Sequence, residues 1–182
     1  MSKLVVVGLV AVCVAGIFLT AVLFKGGQGP KSENIGNSEN VGENSASIIE
    51  NGIKLTLTLS KTGFNLGENI PMNLTVQNIR AENVSLEFSS GYQSDFIVYD
   101  TDFNKVCAWS DGKMFIMSFT GFGLGPGENR SWVWDWDQKV YNNQTGEYSP
   151  IAPGEYYLRG ILVRYSTSLT TPSLKITVHG LT

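Results

Sequence analysis

From residue 52 onward the apolar residues recur at every second position, the period of a half-buried strand. In KLTLTLS this puts Leu55, Leu57 and Leu59 on one face and threonines on the other. PMNLTVQN repeats the pattern with Met72, Leu74 and Val76, and NVSLEF with Val84, Leu86 and Phe88. DFIVYD, VCAWS and KMFIMSF follow, the last two joined through Asp111-Gly112, a dipeptide that favours a tight hairpin. A glycine-rich loop, TGFGLGPGEN, leads to SWVWDWD, and GEYYLRGILVRY and PSLKITV close the series. No segment after residue 51 has a 3.6-residue apolar period. Roughly eight or nine short, evenly spaced strands predict an all-β domain over residues 52–182, an immunoglobulin-like antiparallel β-sandwich.

The first 51 residues have a different texture. LVVVGLVAVCVAGIFLTAVLF, residues 4–24, carries no charge and lies between Lys3 and Lys25. As a helix, its 21 residues would span about 30 Å, the thickness of a bilayer core. A cleaved secretory signal has a shorter apolar run and a small-x-small cleavage site, whereas this run ends in Val22, Leu23 and Phe24. A lipidated cysteine would stand at the end of the run, and Cys13 is in its middle. An uncleaved anchor over residues 1–25 fits best: a single-pass cell-membrane protein in contact with the bilayer through residues 4–24. The short N-terminal flank favours the domain on the extracellular side. Residues 26–51, rich in Gly, Ser, Asn and Glu, read as a flexible linker.

Reactive chemistry is sparse. The net charge is −3 with Lys and Arg scattered, so no nucleic-acid footprint is visible. Cys13 and Cys107 cannot form a disulfide within the domain, and Cys107 reads as a small buried hydrophobe. His179, the only histidine, stands three residues from the C-terminus, a poor place for a catalytic base. One histidine and one cysteine in the domain do not make a zinc site. Asp100, Asp102, Asn104 and Asp111 have the spacing of a calcium loop, but Lys105 occupies the position that needs glycine. A turn whose side chains bond nearby backbone N–H groups is the simpler reading. The expectation is therefore no enzyme, no metal and no cofactor. Trp132, Trp134 and Trp136 share one strand face, the core side if Asp135 and Asp137 face water. Turned outward, they would form a platform for sugars or a partner. Asn-x-Ser/Thr sequons at Asn73, Asn83, Asn129 and Asn143 permit an external location.

An ordered set of motifs runs through the domain: SSGYQSDFIVYDTDFNKVCAWSDGKMF, then LGPGEN, VWDWD and IAPGEYYLRGILV. Over residues 62–165 this resembles the BsuPI family, the intracellular proteinase inhibitors of bacilli. The resemblance rests on Ser90, Gly91, Asp95, Phe96, Tyr99, Asp100, Trp109, Ser110, Gly112, Met114 and Phe115. It continues through Pro126, Gly127, Glu128, Trp136, Asp137, Pro153, Gly154 and Tyr156. Asn104 stands where the family usually has a turn glycine, and asparagine also tolerates the left-handed conformation. The resemblance implies a β-sandwich that inhibits a subtilisin-type serine protease, with most of the signature acting as scaffold.

Function then falls to loops. Residues 137–155 read as a loop too long for a tight hairpin, in which Lys139, Val140 and Tyr141 would enter a protease cleft as an extended segment. The glycine-rich loop, with Phe122 and Leu124 as an exposed apolar tip, is the second candidate. The partner expected is a serine protease or another envelope protein. The alternative function is a non-inhibitory surface interaction or adhesion module binding a protein or polysaccharide.

Overall fold

The computed structural model describes residues 36–180. The expected anchor over 1–25, its bilayer contact through 4–24, and linker residues 26–35 lie outside the described residues. Among the described residues the regular elements are all strands, and no helix is long and apolar enough to cross a membrane.

The chain begins with β1 (Ser38–Val41), β2 (Ser45–Glu50), β3 (Ile53–Leu59), β4 (Gly63–Asn65) and β5 (Ile70–Asn78). It continues with β6 (Val84–Phe88), β7 (Ser94–Tyr99), β8 (Lys105–Ala108), β9 (Thr120–Leu124) and β10 (Asn129–Trp136). Last come β11 (Lys139–Tyr141), β12 (Tyr148–Pro150), β13 (Gly154–Leu162), β14 (Leu169–Thr170) and β15 (Leu174–His179). One sheet has the order β1-β2-β3-β5-β10, antiparallel throughout. The other runs β4-β15-β13-β7-β8, with β14 also on β13, and only the β4–β15 pair is parallel. Two ribbons, β6–β9 and β11–β12, complete the described residues.

The period-two pattern sets the register. Leu55, Leu57 and Leu59 of β3 oppose Val76, Leu74 and Met72 of β5, and all six are buried. A slip by one residue would turn every one of them to water. Burying each such side chain contributes about 1.5–3 kcal/mol. Trp134 and Trp136 of β10 extend this face, opposite Met72 and Ile70. Phe96, Val98, Leu158, Ile176 and Val178 from the second sheet join the same core. The sheets close tightly at Gly160, where a Cβ would run into the side chain of Leu74. The expected inward turn of the tryptophans holds, with Trp134 and Trp136 buried, Trp132 half-buried, and Asp135 and Asp137 exposed.

Five features differ from the sequence-based expectations. Residues 38–50, expected within the 26–51 linker, form β1 and β2. Ala46 is buried and Ile48 packs on the core, so β2 has an apolar face that seats it on β3. The domain therefore starts well before residue 52. KMFIMSF is not the second arm of a hairpin: Lys113–Phe119 is irregular, entered through two successive turns closed by Asp111 N–H to Ala108 O and Lys113 N–H to Ser110 O. TGFGL, expected as loop, is strand β9 paired with β6. The 137–155 segment contains a paired hairpin, β11–β12. Finally, the left-handed residue after Asp100 is Phe103 (φ 60°), not Asn104.

Candidate functional site

One of the buried polar centres of the domain is Asp95 of β7. Phe96 and Val98 face the core, so alternation alone would leave Asp95 wet, yet it is fully buried. Its carboxylate accepts hydrogen bonds from Tyr92 Oη, from Ser110 Oγ at 2.6 Å and from Ser110 N–H at 3.2 Å. Burial pushes the Asp95 pKa up, and bonds from Ser110 and then Tyr92 pull it part of the way back. Burial, reinforced by the neighbouring Asp95, raises the Tyr92 hydroxyl pKa and keeps it a donor.

Above this knot runs a train of aromatic rings. Tyr92 packs on Phe115 (4.8 Å between centroids), Phe115 on Trp109 (5.8 Å), and Trp109 on Trp134 (5.8 Å) in the core. Each such pair adds about 0.5–1.5 kcal/mol beyond area burial. The turn after Trp109 is held by Asp111, which accepts from Ala108 N–H and pairs with Lys105 Nζ, both at 2.7 Å. Gly112, at φ +72°, lies under the Tyr141 ring, which a Cβ there would approach to 2.8 Å.

These contacts fix the start of the segment Lys113–Phe119. Its middle is fixed by Gly91 N–H donating to Ile116 O at 2.9 Å. Its end is fixed by Thr120 Oγ1, which donates to Ser90 O at 2.8 Å and accepts from Gln93 Nε2 at 2.9 Å. Phe115 points inward and is half-buried. Met114 (99% exposed), Ile116 (67%), Met117 (91%) and Phe119 (73%) point out. Four large apolar groups on a clamped segment make a surface suited to an apolar cleft on another protein.

The sequence-derived candidates are placed differently. Lys139, Val140 and Tyr141 are paired with Pro150, Ser149 and Tyr148, so they are not a free extended segment. Lys139 is exposed and bridged to Asp137 at 2.8 Å, and its carbonyl accepts from Trp136 Nε1 at 3.0 Å. Val140 and Tyr141 are half-buried. The expected apolar tip at Phe122 and Leu124 does not exist, because pairing with β6 draws both inward. Leu124 is buried, and Phe122 is half-buried between Phe88 and Trp132 under the Arg130 guanidinium. Of the two candidates, the β11–β12 hairpin is the one brought near the clamped segment, through Tyr141 on Gly112.

Signature residues otherwise act as scaffold. Tyr156 donates from Oη to Ala152 O at 2.7 Å and holds the bend through Pro153 and Gly154 that opens β13. Asp100 accepts from the N–H groups of Asp102 and Asn104, both at 2.9 Å, and from Asn104 Nδ2 at 3.1 Å, the side-chain-bonded turn expected. Cys107 is buried and its thiol is pushed up to about 12, mainly by burial. His179 is exposed at the end of β15.

Ile116, Met117 and Phe119 are surface residues that the sequence did not single out, and Met114 was named only as part of the family signature, without its exposure. The available signal was the composition of KMFIMSF, in which apolar residues follow one another without the polar alternation of a strand with one wet face.

The geometry defines a sandwich-like all-β domain displaying a clamped apolar loop. The model of the BsuPI family, described as intracellular proteinase inhibitor, matches residues 57–167, and the chain belongs to that family. The match runs from the end of β3 through β13 and takes in the Asp95 knot and the clamped segment. The family's description is that of an inhibitor, not of an enzyme. No curated protein matches the chain. Among solved structures, a β-glucosidase from Listeria innocua in complex with isofagomine is 18% identical at TM-score 0.43, covering 71% of this chain and 16% of that one. Spo0M, a sporulation control protein from Bacillus subtilis, is 13% identical at TM-score 0.46, covering 71% and 50%. The alkylpurine DNA glycosylase AlkC from Pseudomonas fluorescens is 14% identical at TM-score 0.40, covering 70% and 30%. This chain thus spans half or less of each, and likeness at this level says nothing about activity.

Proposed function

We propose that this is an inhibitory BsuPI domain, an immunoglobulin-like sandwich that holds a subtilisin-type serine protease through the segment Lys113–Phe119. The observation that carries the reading is the clamping: four outward apolar side chains lie on a backbone tied down at Gly91, Phe115 and Thr120. An inhibitor must present a cleft-filling segment that neither relaxes nor unfolds on binding, because ordering a loose loop subtracts from affinity. Residues 4–24 would tether the domain to the cell membrane, with the domain outside. The exposed position of all four sequon asparagines is compatible with that location.

The test is titration of the full chain, kept soluble in detergent, into a subtilisin. One-to-one loss of activity is expected, and it should disappear when Met114, Ile116 and Met117 are all changed to Asp. Digestion of the domain with no loss of protease activity would contradict the reading. Substituting Lys139, Val140 and Tyr141 by Gly is the companion variant, and strong inhibition should survive it. The adhesion alternative loses its aromatic platform, since Trp134 and Trp136 face the core.

A further inference from the structure

The apolar surface on Lys113–Phe119 is unusual in its chemistry as well as its exposure. The chain has four methionines, Met1, Met72, Met114 and Met117. Met72 is sealed in the core at 1% exposure, and Met1 lies outside the described residues. Met114 and Met117, at 99% and 91% exposure, account for two of the four outward groups of the clamped segment. A methionine thioether is the one apolar side-chain group that mild oxidants convert into a strongly polar one.

We propose that Met114 and Met117 are a peroxide-sensitive modification site, whose oxidation releases the partner held by this segment. The release step rests on the function proposed above, whereas the modification site stands on exposure alone. The oxidant is hydrogen peroxide or an organic hydroperoxide. The sulfur lone pair attacks one peroxide oxygen and the O–O bond breaks. That oxygen stays on sulfur as the sulfoxide, and the other leaves as water or alcohol with the proton. Sulfur is oxidised by two electrons and the peroxide is reduced by two. The net charge of the protein does not change, so the effect comes from polarity and shape.

The surroundings favour a clean switch. Phe115, which anchors the loop, and Ile116 and Phe119, its other outward groups, do not react with peroxide at this level. The clamp bonds at Gly91 and Thr120 involve backbone and hydroxyl groups and survive sulfoxide formation. Among the described residues the one competing thiol, Cys107, is buried and held protonated, so its reactive thiolate is scarce. The modified loop should therefore keep its shape while two of its contact groups become sulfoxides. A sulfoxide pressed into an apolar cleft without a hydrogen-bond donor should weaken binding roughly tenfold to a hundredfold.

The experiment treats the full chain in detergent with graded hydrogen peroxide. Sulfoxide is read at each methionine by peptide mass mapping, melting by circular dichroism, and inhibition by titration into a subtilisin. Sulfoxide is expected at Met114 and Met117 well before Met72, with inhibition at least tenfold weaker and melting unchanged. Whatever inhibition the variant carrying Met114→Leu and Met117→Leu has before treatment, it should keep through the same treatment. Oxidation of Met72 at the same rate as Met114 and Met117 would overturn the site. Full inhibition by the doubly oxidised chain, or equal peroxide sensitivity of the leucine variant, would overturn the release step alone. Failure of the untreated chain to inhibit would overturn the proposed function and the release step with it, leaving the site to the mass map.

Discussion

Asp95 shows at the scale of one residue how a family signature can be structural. Removing its carboxylate strands the Tyr92 and Ser110 hydroxyls in a water-poor site. Asp95→Ala should therefore cost about 2–4 kcal/mol of unfolding free energy, measured by urea denaturation near pH 4. The pH dependence has a definite sign. Burial raises the folded-state pKa of Asp95 above its ordinary 3.8, so between the two values the folded state holds more protons than the unfolded one. The contribution of Asp95 is full below the unfolded value and declines as pH rises through the folded one. The stability gap between the wild type and Asp95→Ala should narrow from pH 4 towards neutrality, and a gap that widens would contradict the assigned burial. Asp95, Trp109 and Phe115 were legible as members of a motif. Their common purpose was not, since strand alternation places Asp95 towards water and only Ser110 and Tyr92 close over it.

At the scale of the element, the clamped segment depends on Phe115. Phe115→Ala removes the wedge between Tyr92 and Trp109 and frees the loop, with less change to the core beneath. Inhibition should weaken at least tenfold, while the melting temperature falls by only a few degrees, on the order of 1–2 kcal/mol for a half-buried aromatic. A similar loss in stability without any loss in inhibition would separate the loop from the function. The strands of the core were readable because their apolar residues keep period two over five or more positions, as in β3, β5 and β10. KMFIMSF misled because its shape is set by partners at Ser90, Gly91 and Gln93, far back in the chain. TGFGL misled in the opposite sense. Its glycines lower strand propensity, yet Gly121 is what lets β9 lie close to β6, where a Cβ would come within 3.0 Å of Leu86 O.

For the whole molecule, the largest revision concerns where the domain starts. β2 covers β3, and Glu50 pairs with Arg164 at 2.8 Å across the fold. Chains beginning at residue 36 and at residue 52 should both fold, but the shorter should be less stable by roughly 3 kcal/mol from lost burial around Ala46 and Ile48. Equal urea midpoints and slopes would restore the view of residues 38–50 as a spacer. This boundary was hidden because SASIIE sits among Ser, Asn, Gly and Glu residues whose composition suggests disorder, and its apolar face is short. The sandwich is thus a support broad enough to hold one small segment still, and in the proposed function this segment does the gripping. Amide hydrogen exchange tests it most directly, with the full chain alone and with a subtilisin whose nucleophilic serine is replaced by alanine. Protection on binding is expected at residues 113–119 and their clamps at 90–93, with little change at 120–124. Protection confined to the 139–150 hairpin, or none anywhere, would contradict the account.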